Sequence, residues 1–276
     1  NITAYPGRDT KLGDLPISRC LPNRDQRMVG PWCFLDRFGP LSFGEEKPMQ
    51  VPPHPHIGLQ TVSWLIEGDV LHTDSLGSEA IVSPGGVNVM TAGKGIAHAE
   101  ETPADNSGTL NGVQLWVALP DEHRHINPSF TNVAQVPKTE EPEGLIQLFA
   151  GNYNNIPSPA PHFSEIIGLD VQVYPNKALS LTLNPKFEHA LLLLEGNVAF
   201  EDQPLSQNTL YYLGTAREGL DITSPSGGRF LLIGGPPFPE KILMWWNFVA
   251  RTPEEIQQAR TDWEAHQHFG NVIGTQ

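Results

Sequence analysis

The apolar residues of this 276-residue chain fall in short runs, several of them alternating, that are bounded by turn-forming residues. Thr61–Glu67 is β-branched and apolar and stops at Gly68-Asp69, while Val113–Leu119 alternates and stops at Pro120. Such runs are typical of β-strands. A comparable run at 145–150 ends the first half, and the second half has such runs near 166–173, 179–183, 190–195, 198–200, 209–213 and 230–233. The pattern therefore predicts an all-β fold.

The first 53 residues contain one well-bounded strand. Residues 1–29 are polar and irregular, so we expect an N-terminal arm. Gly30–Pro40 alternates between two Gly/Pro pairs, which predicts one strand between two turns. Asp36 and Arg37 are adjacent and would face opposite sides of that strand, so we interpret them as an edge-strand charge pair. A loop is expected over 41–53.

One segment near the C-terminus has helical rather than strand character. Thr252 fits an N-cap, with Pro253 at the first helical position and Glu255 at the third. Apolar and long side chains then recur at helical spacing, at Ile256, Ala259, Arg260 and Trp263. The pattern predicts a helix from about Pro253 to Gln267, with Trp263 as a packing anchor.

Composition and charge exclude several classes of function. Gly and Pro number 26 each, which implies frequent turns, and 17 basic against 31 acidic residues give a net charge of −14. There is no run of Lys or Arg, so direct binding to nucleic acid is disfavoured, whereas protein partners suit an acidic surface. No apolar run reaches membrane-spanning length and no signal-peptide pattern is visible at the N-terminus, so a cytoplasmic location without membrane contact is expected.

Two pairs of metal-type side chains lie at i, i+2 spacing around the predicted strands. His54 and His56 precede them, and His98 and Glu100 follow the turn at Pro84-Gly85-Gly86. In an extended chain, residues i and i+2 point to the same face. Strand, turn, strand, turn, strand can bring both pairs together, and three imidazoles with one carboxylate suit a divalent transition metal. A structural zinc site is the alternative, although such sites often contain Cys.

Other residues with reactive side chains are interpreted as structural. Cys20 and Cys33 match no zinc or redox motif and are expected to be buried, reduced thiols. His123 and His125 also have i, i+2 spacing, but their surroundings are polar and lack a strand pattern, so we predict a solvated loop. Three large apolar residues are interpreted as core rather than as the lining of a small-molecule pocket: Phe34, Trp64 and Met90.

A short repeat suggests that the chain is built from two related halves. Leu65–Val70 recurs as Leu193–Val198, an offset of 193 minus 65, or 128 residues. We predict domains at 1–150 and 151–276, with the Asn- and Pro-rich stretch 151–161 as linker. The first would bind the metal, and the second would be its degenerate copy and carry the terminal helix.

The second copy lacks the ligands of the first. Moved forward by 128 residues without gaps, the four ligand positions fall on residues that are poor metal ligands: Thr182, Asn184, Ser226 and Gly228. His189 is the only histidine nearby, and a lone histidine in a strand is interpreted as a hydrogen-bonded structural residue. One metal site per chain is therefore predicted.

Three stretches together resemble the pirin family. They are His54-Pro55-His56, the Leu65–Asp69 turn and Met90–Glu100, and Leu35–Phe38 also looks like that family. The resemblance implies two cupin barrels packed face to face, of the double-stranded β-helix or jelly-roll type, with a C-terminal helix. It also implies His54, His56, His98 and Glu100 as ligands of one metal in the N-terminal barrel. Many cupins outside the pirins have a ligand Glu a few residues after the two histidines, where this chain has Gln60.

The resemblance implies two alternative functions. Many bacterial pirins resemble quercetin 2,3-dioxygenases, which open the ring of a flavonol with O2, and Glu100 would then also take the proton of the flavonol hydroxyl. Other pirins are described as transcription cofactors or regulators of metabolic enzymes, which implies a metal-dependent binding module without catalysis. The family usually holds Fe(II), and Zn, Mn, Ni, Co or Cu are the alternatives.

Overall fold

A computed structural model describes residues 2–273 and consists of short strands followed by one helix. The strands of the first half are β1 (Thr3–Pro6), β2 (Arg8–Leu12), β3 (Leu15–Leu21), β4 (Trp32–Ser42), β5 (Gln50–His56), β6 (Leu59–Glu67), β7 (Val70–Asp74), β8 (Glu79–Val82), β9 (Val87–Thr91), β10 (Ile96–Glu101), β11 (Thr109–Ala118), β12 (Ser129–Val133) and β13 (Lys138–Glu141). The remaining elements are β14 (Gly144–Tyr153), β15 (Ile156–Pro157), β16 (Ile167–Val173), β17 (Lys177–Thr182), β18 (Glu188–Gly196), β19 (Ala199–Phe200), β20 (Gln203–Pro204), β21 (Thr209–Gly214), β22 (Gly219–Ser224), β23 (Gly228–Gly235), β24 (Leu243–Trp245), β25 (Phe248–Ala250) and α1 (Pro253–Glu264). The all-β prediction is confirmed.

Four of the sheets form two similar pairs, and β24 and β25 form a separate two-stranded hairpin. One pair is a seven-stranded sheet in the order β12-β9-β6-β11-β4-β3-β2 and a four-stranded sheet in the order β5-β10-β7-β8. The other pair is a sheet in the order β1-β21-β18-β23-β16-β14-β13, to which β15 is added beside β14, and a four-stranded sheet in the order β17-β22-β19-β20. The repeat in the sequence thus corresponds to a repeat in the architecture.

The chain separates by contacts into two units that are not contiguous in sequence. The unit with the metal-ligand motifs contains Asp9–Ile17, Asp36–Gln135 and the described residues from Pro239 onward. The other contains the described residues up to Arg8, then Ser18–Leu35 and Val136–Phe238. This division differs from the contiguous domains 1–150 and 151–276, because β1 pairs with β21 and the terminal segment joins the first-half strands. The stretch expected as linker forms the end of β14 and the hairpin to β15.

The two units have different interiors. In the unit without the metal-ligand motifs, here called the apolar unit, a continuous apolar cluster fills the space between the sheets, and its members include Leu179, Leu181, Leu193, Leu220, Ile222 and Phe230. The metal-motif unit has smaller apolar clusters, one around Leu65 and Phe38 and one around Phe248 and Ala259. The metal-motif unit also buries polar side chains, among them His56, His98 and Glu100.

Two predictions for the N-terminal residues were wrong. The stretch 1–29 contains β1, β2 and β3 instead of an irregular arm. Asp36 and Arg37 are not an edge pair, because β4 lies between β11 and β3 and both side chains are buried, at 2% and 1% exposure. Arg37 Nη1 donates hydrogen bonds to the carbonyl oxygens of Phe38 and Gly112, at 2.5 and 3.0 Å. A buried guanidinium with backbone acceptors is compatible with a central strand.

The predicted turn at Gly68 and the predicted start of the C-terminal helix are both observed. Gly68 has a φ of +82°, and a Cβ there would lie 2.1 Å from the Thr109 carbonyl oxygen, so the turn after β6 requires glycine. The helix α1 begins at Pro253, and Thr252 accepts a hydrogen bond from the Glu255 N–H. It ends at Glu264 rather than near 267, because His266 has a φ of +54°. Among the described residues, no helix is long and apolar enough to cross a membrane.

Candidate metal centre

Strand pairing brings the two ligand motifs together. β5 and β10 are antiparallel neighbours, with His54 directly opposite His98 and His56 opposite Ile96. A register shift follows between His98 and Glu100. Directly opposite residues share a face, and so do residues at i and i+2. β5 is an edge strand of its sheet, and edge strands tolerate prolines such as those that flank His54.

The three histidines form a compact group of ligand atoms. His56 Nε2 lies 3.1 Å from His98 Nε2, and the ring centroid of His54 lies 5.0 Å from that of His56 and 4.4 Å from that of His98. One ring nitrogen from each lies within 4.8 Å of the other two. Nitrogen donors bound at about 2.1 Å to one ion are roughly 3.0–3.4 Å apart, so the His56–His98 separation fits a shared ion.

Hydrogen bonds to carbonyl oxygens fix the orientation of two of the rings. His54 Nδ1 lies 2.8 Å from the Pro52 carbonyl oxygen, and His56 Nδ1 lies 3.0 Å from the Asn247 carbonyl oxygen. A carbonyl oxygen can only accept, so each Nδ1 carries the hydrogen and each Nε2 keeps a lone pair. That is the tautomer needed for binding a metal through Nε2.

Burial keeps the three imidazoles neutral. It lowers the pKa of His54 to about 4 and the pKa values of His56 and His98 well below the ordinary range. A neighbouring ring lowers each pKa further, His72 acting on His54 and His54 acting on both His56 and His98. Neutral imidazole is the form that binds metal. His56 and His98 are 1% exposed, whereas His54 is only partly buried, so access from solvent is on the His54 side.

Glu100 lies beside the three-histidine group. Its Oε1 is 3.9 Å from His98 Nε2, and its Oε2 is 3.4 Å from the hydroxyl of Ser63, which itself lies 2.7 Å from Gln114 Oε1. Burial raises the pKa of Glu100, while the nearby His72 and the Ser63 hydroxyl act in the opposite direction. A buried carboxylate at this place needs a cation or hydrogen-bond donors for compensation.

The structure adds a histidine that sequence reasoning missed. His72 lies on β7, where it faces Glu100 across the strand pair, and Asp74 faces His98 in the same way. His72 Nδ1 is 3.4 Å from His98 Nδ1, and its ring stacks on Phe130 with centroids 4.0 Å apart and planes 9° from parallel. The signal was present, since His72 and Asp74 have the same i, i+2 spacing as the recognised pairs.

A segment remote in sequence also contributes to the centre. Asn247, which accepts the His56 hydrogen bond, lies between β24 and β25, and Phe248 bridges to Ile57 directly after the His56 position. No motif in the first half could indicate this partner, because the contact is made through a backbone carbonyl 191 positions away.

The residues interpreted as structural are buried or lie in turns. Cys20 and Cys33 are buried free thiols, and burial raises the pKa of Cys33 to about 12. His123 and His125 lie in the turn region after β11. Phe34, Trp64 and Met90 are all buried.

Two further polar residues can be placed. Gln60 is fully buried and donates to the Thr91 hydroxyl at 2.9 Å. His189 is buried as predicted, but its Nδ1 has no hydrogen-bond partner among the described residues, so the expectation of hydrogen bonding was wrong for that atom.

Comparison with known proteins gives a consistent assignment. A family model described as Pirin matches residues 15–117, and one described as Pirin C-terminal cupin domain matches residues 168–270. A Pseudomonas aeruginosa protein named "Putative quercetin 2,3-dioxygenase" is 44% identical over 91% of this chain and 80% of its own length. A pirin-like protein of Caulobacter vibrioides is 35% identical over 95% of this chain and 92% of its own.

Solved structures support the same fold. The crystal structure of a quercetin 2,3-dioxygenase from Acinetobacter baumannii matches with a TM-score of 0.95 and 39% identity, and the match covers 98% of this chain and 91% of that one. The prediction of two cupin domains is thereby confirmed. The resemblance to the pirin family, drawn from His54–His56, Leu65–Asp69 and Met90–Glu100, is confirmed as well. With both family models matched over most of its length, this chain belongs to the pirin family.

Proposed function

We propose that this pirin binds one divalent transition metal through His54, His56, His98 and Glu100 and acts as a quercetin 2,3-dioxygenase-type oxidoreductase on flavonol-like substrates with O2. The observation that carries the proposal is the convergence of three neutral imidazoles, with their ring nitrogens within 4.8 Å of one another, beside a buried carboxylate. Relatives named as quercetin 2,3-dioxygenases support the substrate class. Fe(II) is the metal we propose first, because histidines with one carboxylate and open positions are typical of non-haem iron oxygenases.

The donor set fits such a metal. Nitrogen and carboxylate ligands suit iron and its first-row neighbours, and four protein ligands on a six-coordinate ion leave two positions open. When bound, the ion would supply a Lewis-acidic centre with open positions for the substrate oxygen and O2. Neither Cys20 nor Cys33 is among the described residues whose ligand atoms cluster there. This set differs from the closed, often Cys-containing shell of structural zinc.

The residues of the chain have separate roles in this proposal. Pro52 and Asn247 hold the His54 and His56 rings through their carbonyl oxygens, so the donor atoms are positioned before any ligand arrives. The burial of His56 and His98 keeps bulk water from that side of the site. Glu100 would take the proton of the flavonol hydroxyl at a carboxylate oxygen, with Ser63 next to its other oxygen.

The test is an aerobic assay on protein reconstituted with Fe(II). Quercetin is added, its absorbance is followed, and metal content is measured on the same sample. We expect loss of the flavonol absorbance in the wild-type protein and a decrease of roughly 10²–10⁴-fold in the Glu100→Gln variant, because the amide cannot accept the proton. Absence of turnover with one metal bound per chain would overturn the dioxygenase proposal and leave a metal-binding module.

A further inference from the structure

His98 differs from the other two histidines in what holds its ring. The Nδ1 atoms of His54 and His56 face backbone carbonyl oxygens, whereas His98 Nδ1 faces His72 Nδ1 at 3.4 Å. Two imidazole nitrogens can form a hydrogen bond only if one carries the hydrogen and the other keeps its lone pair. The orientation of His98 therefore depends on the tautomer of His72.

Asp74 determines that tautomer. Its Oδ2 lies 2.6 Å from His72 Nε2, and a carboxylate oxygen can only accept. His72 Nε2 consequently carries the hydrogen, which leaves the lone pair on its Nδ1. That lone pair accepts from His98 Nδ1–H, so the lone pair of His98 lies on Nε2, the atom 3.1 Å from His56 Nε2.

The side chains of His72 and Asp74 are themselves held in place by their surroundings. Asp74 Oδ1 accepts from the backbone N–H groups of Leu76 and Ser78, at 2.9 and 3.0 Å. Asp74 is 1% exposed and His72 is 3% exposed. The stacking on Phe130 restricts rotation of the His72 ring. Neither residue is among the three histidines that form the metal-binding group.

We propose that His72 and Asp74 are positioning residues that hold His98 in its metal-binding tautomer and orientation, and that they thereby raise the affinity of the centre for its metal. The inference rests on the proposed function only in that this site binds a metal. Hydrogen-bond partners behind a metal-binding histidine typically contribute 10–100-fold to metal affinity. His98 is the one ligand of the three whose orientation depends on side chains, so point substitutions can test its support directly.

Asp74→Asn is the most informative substitution. The oxygen of the amide is needed by the Leu76 and Ser78 N–H groups, so the amide nitrogen would face His72 Nε2 and donate to it. His72 would then carry its hydrogen on Nδ1, directed at the hydrogen on His98 Nδ1. We expect this variant to bind metal 10–100-fold more weakly although its shape is unchanged.

Two substitutions of His72 form a matched pair. His72→Phe keeps a flat ring against Phe130 but removes the acceptor for His98, so a 10–100-fold loss of affinity is expected. His72→Gln keeps one acceptor and one donor, so its affinity should stay within about tenfold of wild type. His189→Gln alters a buried histidine of the other unit and should leave the affinity unchanged.

Dissociation constants for Co(II) alone are measured by calorimetry on the metal-free full chain, and the visible spectrum of bound Co(II) reports its donor set. Failure of wild-type protein to bind Co(II) or Fe(II) would refute the proposed metal centre itself. Binding by wild type with equal affinity in Asp74→Asn and His72→Phe would refute the positioning role alone. Circular dichroism checks folding, and if Asp74→Asn does not fold, the comparison of His72→Phe with His72→Gln decides.

Discussion

The two four-stranded sheets have equivalent strand orders but bury different kinds of side chain. In the sheet β5-β10-β7-β8 the buried positions on the first two strands include His56, His98 and Glu100. In the sheet β17-β22-β19-β20 the buried cross-strand pairs are apolar, namely Leu179–Ile222, Leu181–Leu220 and Phe200–Ile222. The same framework therefore supports a polar centre in one unit and a continuous apolar core in the other.

The two kinds of interior differ in what they contribute to the free energy of folding. A buried leucine contributes about 1.5–3 kcal/mol relative to an exposed one, whereas buried imidazoles and carboxylates are costly unless hydrogen-bonded or bound to a cation. The metal-motif unit meets that cost with Pro52, Asn247 and Asp74 as partners of its histidines. The apolar unit has a large apolar cluster in its interior, and its buried Asp170 is paired with Arg229.

The largest expected effect is loss of the metal from a ligand variant. His98→Ala removes a donor atom from the centre of the group, so we expect metal content to fall from one per chain to a small fraction. The loss should exceed the roughly 10–100-fold expected for a hydrogen-bond partner behind a ligand. Inductively coupled plasma mass spectrometry on untagged, Fe(II)-reconstituted protein measures it, and His56→Ala should behave in the same way.

His189→Ala is the matched control for that experiment. His189 is equally buried, at 1% exposure, but lies on β18 in the apolar unit. It should keep its metal. Equal loss from both variants would show that the metal depends on global folding rather than on the three-histidine group.

The next largest effect is a loss of stability when a fully buried phenylalanine is truncated. Phe248 in the metal-motif unit and Phe230 in the apolar unit are each 0% exposed. Phe248→Ala and Phe230→Ala should each lower the free energy of unfolding by about 3–5 kcal/mol, because each leaves a cavity. Only Phe248→Ala should also weaken metal binding, since Phe248 adjoins Asn247, whose carbonyl oxygen holds His56. Urea unfolding and Co(II) calorimetry measure the two effects separately.

The difference between these two variants tests the terminal segment as a part of the centre. Unchanged Co(II) affinity in Phe248→Ala, with the expected loss of stability, would show that His56 does not depend on β25 for its orientation. Weakened affinity in Phe230→Ala would show that the apolar unit also supports the centre.

The sequence was most informative where local geometry decides the structure. Apolar and alternating runs identified long buried strands such as β6, β11, β18 and β23 but not the short or polar ones. The i, i+2 spacing identified His54, His56 and His98, because a strand places such residues on one face. The N-cap at Thr252 was recognised for the same reason, since capping depends on residues three positions apart.

Long-range arrangements could not be predicted in this way. β1 pairs with β21, with Thr3 opposite Tyr212, and the Asn247 contact joins residues 191 positions apart. No local pattern specifies either contact. Asp36 and Arg37 suggested an edge strand because two adjacent charges are usually solvated, yet both are buried in a central strand. Moving the ligand positions forward by 128 residues without gaps reached Thr182, which ends β17, whereas the buried positions are Leu179 and Leu181.

The smallest expected effect concerns the cap of α1, which groups with the metal-motif unit although it lies at the end of the sequence. Thr252→Ala removes the acceptor for the Glu255 N–H and should lower stability by about 1 kcal/mol, while Thr252→Ser should restore it. Hydrogen exchange of the Glu255 amide gives the local readout. Co(II) affinity should stay unchanged, because the His56 partner lies on the loop before β25 and the cap lies after it. A weaker Co(II) affinity in Thr252→Ala would show that α1 also helps to hold the metal centre. The whole terminal segment, and not only the β24–β25 hairpin, would then distinguish the metal-motif unit from the apolar unit.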